Sequence, residues 1–302
     1  MASLGTRVKA ATTLSNFATI ALRGLSTKVQ LNPKDDSKET VVKYLDGKDN
    51  GIAVLGLNRP EARNAFSKSF VSQLSDTLSR IREDENIRVL IIRSLVPKVF
   101  CAGADLRERV KMEGSEVAQF VSSLRSLMNE VESLPLPVVS AIDGVALGGG
   151  LELALATDIR TAASEAKMGL VETKLAIIPG AGGTQRLPRI VGPAIAKELI
   201  FTARILDGDE AQGLGLVNRA VPQNKNGDAA YQAALSIARE ILPNGPIGVR
   251  LAKEAITEGT DLTLKEGFEV EKKCYSQLLE TEDRVEGLAA FTSKRVPVYK
   301  GM

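Results

Sequence analysis

A chain of 302 residues with 44% hydrophobic and 25% charged content can bury one substantial core and a small second unit. With 39 basic against 37 acidic residues it lacks the global positive field of a dedicated nucleic-acid binder, and no apolar run approaches the roughly 18 to 20 residues of a membrane span. It has no histidine and only two cysteines, Cys101 and Cys274, far apart, which excludes a Ser-His-Asp triad, a Cys-His pair, a His-ligated zinc, a CxxC site and a disulfide framework, and leaves acid/base work to Glu, Asp, Lys, Tyr or Cys.

Residues 1–34 hold Arg7, Lys9, Arg23, Lys28 and Lys34 and no acid, with Ser and Thr between small apolar residues; the first acid is Asp35. That composition predicts a mitochondrial or plastid transit peptide, with the stretch from Arg23 to Thr27 as its processing region. Removing these five of the 39 bases leaves 34 against 37 acids, a mildly acidic protein.

Residues 40–57 alternate around a turn at 46–51 and read as a β-hairpin. Residues 67–82 carry Phe70, Val71, Leu74, Leu78 and Ile81 at amphipathic-helix spacing. A buried strand at 89–92, a helix at about 116–132, a strand at 138–142, a Gly-rich turn into a helix at 151–156 and a strand at 159–163 follow. Strand and helix in alternation argue for a layered α/β core. From about residue 193 the pattern is nearly all helical, with candidates at 193–203, 229–241, 246–258, 261–279 and 282–292 and a Pro-Asn-Gly-Pro break at 243–246, which predicts a C-terminal helical module.

The stretch from Asp143 to Ala154 runs from strand through three glycines into a helix, leaving backbone amides at a helix N-terminus where they can hold a developing oxyanion. A tight turn with close helix-sheet packing explains the glycines equally, and no dinucleotide or P-loop fingerprint is present. Glu152 lies among Leu151, Leu153, Ala154, Leu155 and Ala156, and Glu172 is similarly flanked by apolar residues; a glutamate in such surroundings needs a partner or a task. Two carboxylates meeting in one apolar pocket repel, so one keeps its proton while the other stays ionised: an acid and a base that can share a water molecule. The segment from Val99 to Leu106 offers a second backbone donor or a packed corner; Gly180 to Thr184 is an anion-cradling loop or a simple connection; Cys101, without a histidine partner, reads as a buried structural thiol.

Four motifs, Asn58-Arg59-Pro60-Glu61-Ala62-Arg63-Asn64-Ala65, CAGADL at 101–106, ALGGGLELALA at 146–156 and MGLVETKLAIIPGAGGTQRLPR at 168–189, resemble the enoyl-CoA hydratase/isomerase, or crotonase, family across nearly all of residues 40–302. The resemblance implies an α/β crotonase-like spiral of repeated ββα units over 40–230, with a C-terminal helical trimerisation module over 231–302 and trimers pairing into hexamers. It implies an oxyanion hole at the amides of Ala104 and Gly149, with Glu152 and Glu172 exchanging protons with a water and the substrate α-carbon. The resemblance further implies CoA contacts at Ala102, Ala104, Asp105, Leu106 and Arg107, also at Gly149, with Arg63 and Lys294 as phosphate partners. Two glutamates favour hydration over double-bond isomerisation, the alternative activity of the same fold. No metal or redox cofactor is implied, since CoA enters as part of the substrate, and a matrix location in mitochondria is.

Within the family the motifs are most similar to mitochondrial hydratases that take methylglutaconyl-CoA and also bind AU-rich RNA. Fatty-acid β-oxidation and leucine breakdown both fit the chain. In Arg107-Glu108-Arg109-Val110-Lys111-Met112-Glu113 acids interleave with bases, so a solvated helix is the simpler reading than RNA binding.

Overall fold

A computed structural model describes residues 39–302; the leader read at 1–34 lies outside the described residues. In chain order the elements are β1 (Thr40–Tyr44), β2 (Ile52–Leu57), α1 (Lys68–Glu83), β3 (Val89–Ser94), β4 (Val99–Cys101), α2 (Leu106–Arg109), α3 (Gly114–Glu132), β5 (Val138–Ile142), β6 (Val145–Leu147) and α4 (Gly149–Leu155). They continue with β7 (Ile159–Ala163), β8 (Met168–Gly169), α5 (Gly183–Val191), α6 (Pro193–Thr202), α7 (Gly208–Gly213) and β9 (Arg219–Val221). Four helices close the chain: α8 (Ala229–Ile241), α9 (Pro246–Gly259), α10 (Leu264–Ser276) and α11 (Glu282–Thr292).

The strands fall into two sheets, β1-β2-β3-β5-β7-β9 and β4-β6-β8. The hairpin β1/β2 is antiparallel, and every other pairing is parallel. Successive pairs β3/β4, β5/β6 and β7/β8 each place one strand in the large sheet and one in the small, followed by helix, which is the expected spiral of ββα units. Large-sheet strands such as β3 and β5 are buried on both faces, hence their unbroken Val/Ile/Leu/Ala runs. At the start of α1, Ser67 Oγ accepts from Phe70 N at 3.1 Å, and the five apolar residues read as a stripe are all buried.

The boundary drawn at residue 231 needs correction, because α8 belongs to the spiral. Its Ala230, Ala234 and Ala238, four residues apart, let it lie close on Ile52, Val89, Ile91 and Val139 of the large sheet. The helical module therefore begins with α9, tied to the core by Lys253 Nζ on Asp158 at 2.8 Å. The helix read at 261–279 is shorter, starting after Thr263, which caps it by accepting from Glu266 N.

The loop carrying CAGADL is fixed by the Asn58 to Ala65 motif. Arg59 pairs with Glu39 at 2.7 Å and Asp105 at 2.9 Å. Asn64, fully buried, accepts from Arg59 N at 2.8 Å and donates to Ser94 Oγ at 2.8 Å and Phe100 O at 2.9 Å. Asn64→Ala strands those buried partners and should lower the unfolding free energy by about 3 kcal/mol, read as a reduced urea midpoint at unchanged slope.

Candidate active site

A cavity of about 540 Å³ opens between α3, α4 and the segment 171–181. Ala102, Ala104, Leu106, Gly149, Glu152 and Glu172, six of the residues singled out in the sequence, border it.

The two backbone donors arise from tight turns. Ala104 bridges Phe66 in parallel, and the bridge is made by Phe66 N on Gly103 O (2.7 Å) and Asp105 N on Phe66 O (2.9 Å), so the Ala104 N–H points away from it. Gly149 opens α4, where first-turn amides have no intrahelical partner. Neither amide donates to a protein group among the described residues. The preceding residue, Gly148, sits at φ 52°, ψ −125°, a conformation that glycine alone adopts readily, and a Cβ there would meet Glu172 Oε1 at 3.2 Å. A Cβ on Gly103, itself at φ 95°, would lie 3.4 Å from Gly149 N, which brings the two donor-bearing turns together.

Glu152 projects from α4 and is only 3% exposed. Its Oε1 accepts from Ala181 N at 2.8 Å and Gly183 N at 2.7 Å. The loop 180–183 is thus an anion cradle, and its anion is the protein's own Glu152; among the two readings the sequence allowed, the charge-holding one is realised, on an internal carboxylate. Burial raises the Glu152 pKa, and the two amides oppose that rise. The cradle is held in place by Arg125 of α3, which donates to Gly180 O at 3.0 Å, and by Arg186 of α5, which donates to Ala181 O at 3.3 Å and pairs with Glu132 at 2.6 Å.

Glu172 begins a short 3-10 turn and lacks such support. Burial, reinforced by the Glu152 charge, pushes its pKa up to about 7, and its Oε2 is buried with no hydrogen bond among the described residues. The pair therefore consists of a carboxylate supported by two N–H donors and a second carboxyl that holds its proton near neutrality.

Other singled-out residues lie elsewhere. Asp105 does not border the cavity: its carboxylate pairs with Arg59 and caps α2 by accepting from Arg107 N at 3.1 Å. Arg63, Arg107 and Lys294 are exposed and outside the cavity lining. Cys101 is buried, donates to Asn64 O at 3.0 Å and has its thiol pushed by burial to about 12, an inert structural group as read from the sequence. The reading missed Arg109 and Arg125, which also border the cavity; Arg125 could have been found from its spacing to Val121 and Leu124 on the same face of α3.

Comparison with known proteins follows the same geometry. The family model described as enoyl-CoA hydratase/isomerase matches residues 47–302. The chain is 55% identical over 279 residues to mouse methylglutaconyl-CoA hydratase, mitochondrial, covering 92% of this chain and 87% of that protein. It is 57% identical over 263 residues to human enoyl-CoA hydratase domain-containing protein 2, mitochondrial, covering 87% of this chain and 90% of that protein. The crystal structure of enoyl-CoA hydratase from Bacillus anthracis superposes with a TM-score of 0.83 at 47% identity, covering 88% of this chain and 100% of that one.

Proposed function

The chain belongs to the enoyl-CoA hydratase/isomerase family, and on that premise we propose that it is a mitochondrial hydratase that adds water across the 2,3 double bond of a 2-enoyl-CoA to give a 3-hydroxyacyl-CoA. The observation that carries this reading is the pairing of Glu152 and Glu172, in unequal environments, beside two unengaged backbone N–H groups in one cavity.

The thioester carbonyl accepts from Ala104 N–H and Gly149 N–H, which draws electron density toward oxygen and leaves C3 electrophilic. Glu152, with Oε1 committed to its two amides, uses Oε2 to take a proton from water as the water oxygen bonds to C3. The enolate formed at C2 takes the proton of Glu172. Proton exchange between the two carboxyls after product release restores the starting state. No atom changes its oxidation state through a redox partner, so we assign neither metal nor redox cofactor, and CoA serves only as part of the substrate.

The mitochondrial assignment rests on the relatives' printed location and on the acid-free, basic residues 1–34. We also propose that the chain assembles with copies of itself, as trimers, since Phe268 (55% exposed), Phe291 (86%) and Val296 (81%) leave apolar surface in solvent on the C-terminal module.

A continuous assay on crotonyl-CoA tests the reading through its pH profile. In free enzyme the rate requires Glu172 protonated and Glu152 ionised, so kcat/KM should fall about tenfold per pH unit above about 7, where Glu172 loses its proton. It should fall again in acid as Glu152 protonates. A profile flat from pH 6 to 9 would remove Glu172 as the acid.

A further inference from the structure

The loop that holds Glu152 is tied down through the carbonyls of three successive peptide groups. Gly180 O accepts from Arg125 Nη2 at 3.0 Å, Ala181 O from Arg186 Nη1 at 3.3 Å, and Gly182 O from the backbone N of Arg186 at 2.8 Å. A trans peptide points its N–H opposite to its C=O. A donor on Gly180 O therefore aims Ala181 N–H, and one on Gly182 O aims Gly183 N–H, the two groups that meet on Glu152 Oε1. The middle peptide, from Ala181 to Gly182, joins them and sets the angle between them.

Such a loop cannot keep that shape unaided, since Gly180, Gly182 and Gly183 make up three of its four residues and Gly182 sits at φ 110°. Arg186 supplies the stiffness. Its side chain is 11% exposed, and α3 grips its guanidinium through Glu132 (Nε to Oε1 3.1 Å, Nη2 to Oε2 2.6 Å) and Asn129 Oδ1 (2.8 Å). Arg125, Asn129 and Glu132 follow one another on α3 by four and then three residues, so one helix face serves the whole loop. The guanidinium lies so close over Gly182 that a Cβ there would collide with Nη1. Arg125 is exposed, and water can replace it on Gly180 O; Ala181 is only 1% exposed, so its carbonyl has no such substitute.

Building on the hydratase reading, we propose that Arg186 is a positioning residue for the base: locked to α3 by Glu132 and Asn129, it keeps the 180–183 loop closed on Glu152 Oε1, so that Oε2 alone is left to take the proton of water. Arg186 does not border the cavity, so it acts on the reaction only through Glu152. Charges from every side bear on that carboxylate. Arg186 of α5 and Arg125 of α3 favour its ionised form, Glu172 opposes it, Glu132 offsets part of the Arg186 charge, and Arg109 of α2 reaches Glu172. Removing Arg186 takes away a cation and loosens both amides, and the two effects have the same sign: Glu152 binds a proton more readily.

Arg186→Met should lower kcat on crotonyl-CoA by about ten- to a hundredfold with KM changed only severalfold, the cost of a base displaced by up to about 1 Å. The acid limb of its kcat/KM profile should move to higher pH, while the alkaline limb, set by Glu172, moves less. Calorimetric binding of butyryl-CoA should weaken no more than severalfold, since the Ala104 and Gly149 amides are untouched, and that binding shows the variant to be folded. Arg186→Lys keeps the charge and one donor for Ala181 O but has no fork for Glu132, and should recover part of kcat and most of the acid-limb position. Turnover lost with both limbs in place, or lost together with butyryl-CoA binding in both variants, reduces Arg186 to a support of the fold and leaves the hydratase reading standing. Full turnover in Arg186→Met does the same. Wild-type enzyme that hydrates neither crotonyl-CoA nor 3-methylglutaconyl-CoA overturns both.

Discussion

Glu152→Gln and Glu172→Gln are each expected to slow hydration of crotonyl-CoA by about 10²- to 10⁴-fold in kcat, with KM changed only severalfold, because each removes a proton transfer that occurs in the transition state. Both substitutions preserve shape. A glutamine at 152 can still present an oxygen to Ala181 N and Gly183 N, so the cradle stays closed, but its amide cannot take a proton from water. A glutamine at 172 fits over the Gly148 turn as the acid does and has no proton of suitable acidity to give C2. Turnover within tenfold of wild type in either variant would end the two-carboxyl mechanism.

The two variants also differ in a property that does not depend on turnover. Glu172 has a folded pKa raised to about 7, so the native state holds a proton that the unfolded chain releases at lower pH. Its contribution to stability is complete below the unfolded value and is lost as pH rises through about 7. Glu172→Gln removes a half-buried carboxylate that must ionise in this window, and the variant should therefore melt higher than wild type above pH 7 while being nearly inactive. A thermal scan against pH separates that outcome from simple misfolding.

The acid pair was legible because glutamate in an apolar helix is conspicuous one residue at a time. Their support was not. Ala181 and Gly183 act through backbone N–H groups, which no side-chain pattern announces, and Arg109 and Arg125 reach the cavity from helices earlier in the chain. In the fold, long elements with a strong period were read nearly residue for residue, as with α8 and α9. The strands of the small sheet escaped, since β4, β6 and β8 are two or three residues long and β6 lies between Gly144 and Gly148, where glycines read as turn. The helix α5 escaped for a related reason, because it opens on glycine and contains Pro188. These short elements are the ones that place the two amides proposed as oxyanion donors, so the residue types of the proposed chemistry were readable before the scaffold that positions them.

That scaffold makes Gly150 the most exacting glycine of the site. A Cβ on Gly150 would fall 2.1 Å from Cys101 O, a backbone atom of β4 that no rotamer change can move, whereas a Cβ on Gly149 would meet the Phe66 ring at 3.3 Å and Gly103 Cα at an ordinary 3.7 Å. Gly150→Ala must therefore lift α4 off β4, carrying the Gly149 N–H with it while Ala104, just beyond β4, stays behind. Because misplacing one donor of an oxyanion hole costs about 10²- to 10³-fold, kcat should drop by that amount, alongside about 1 to 3 kcal/mol of stability from overpacking. Gly149→Ala keeps the donor and should lose only severalfold. The infrared carbonyl stretch of bound butyryl-CoA reports the donors directly: it should be shifted to lower frequency in wild type and Gly149→Ala, and should return toward the free value in Gly150→Ala. If the two alanine variants proved equally active and equally shifted, the close approach of α4 to β4 would have no part in holding the carbonyl.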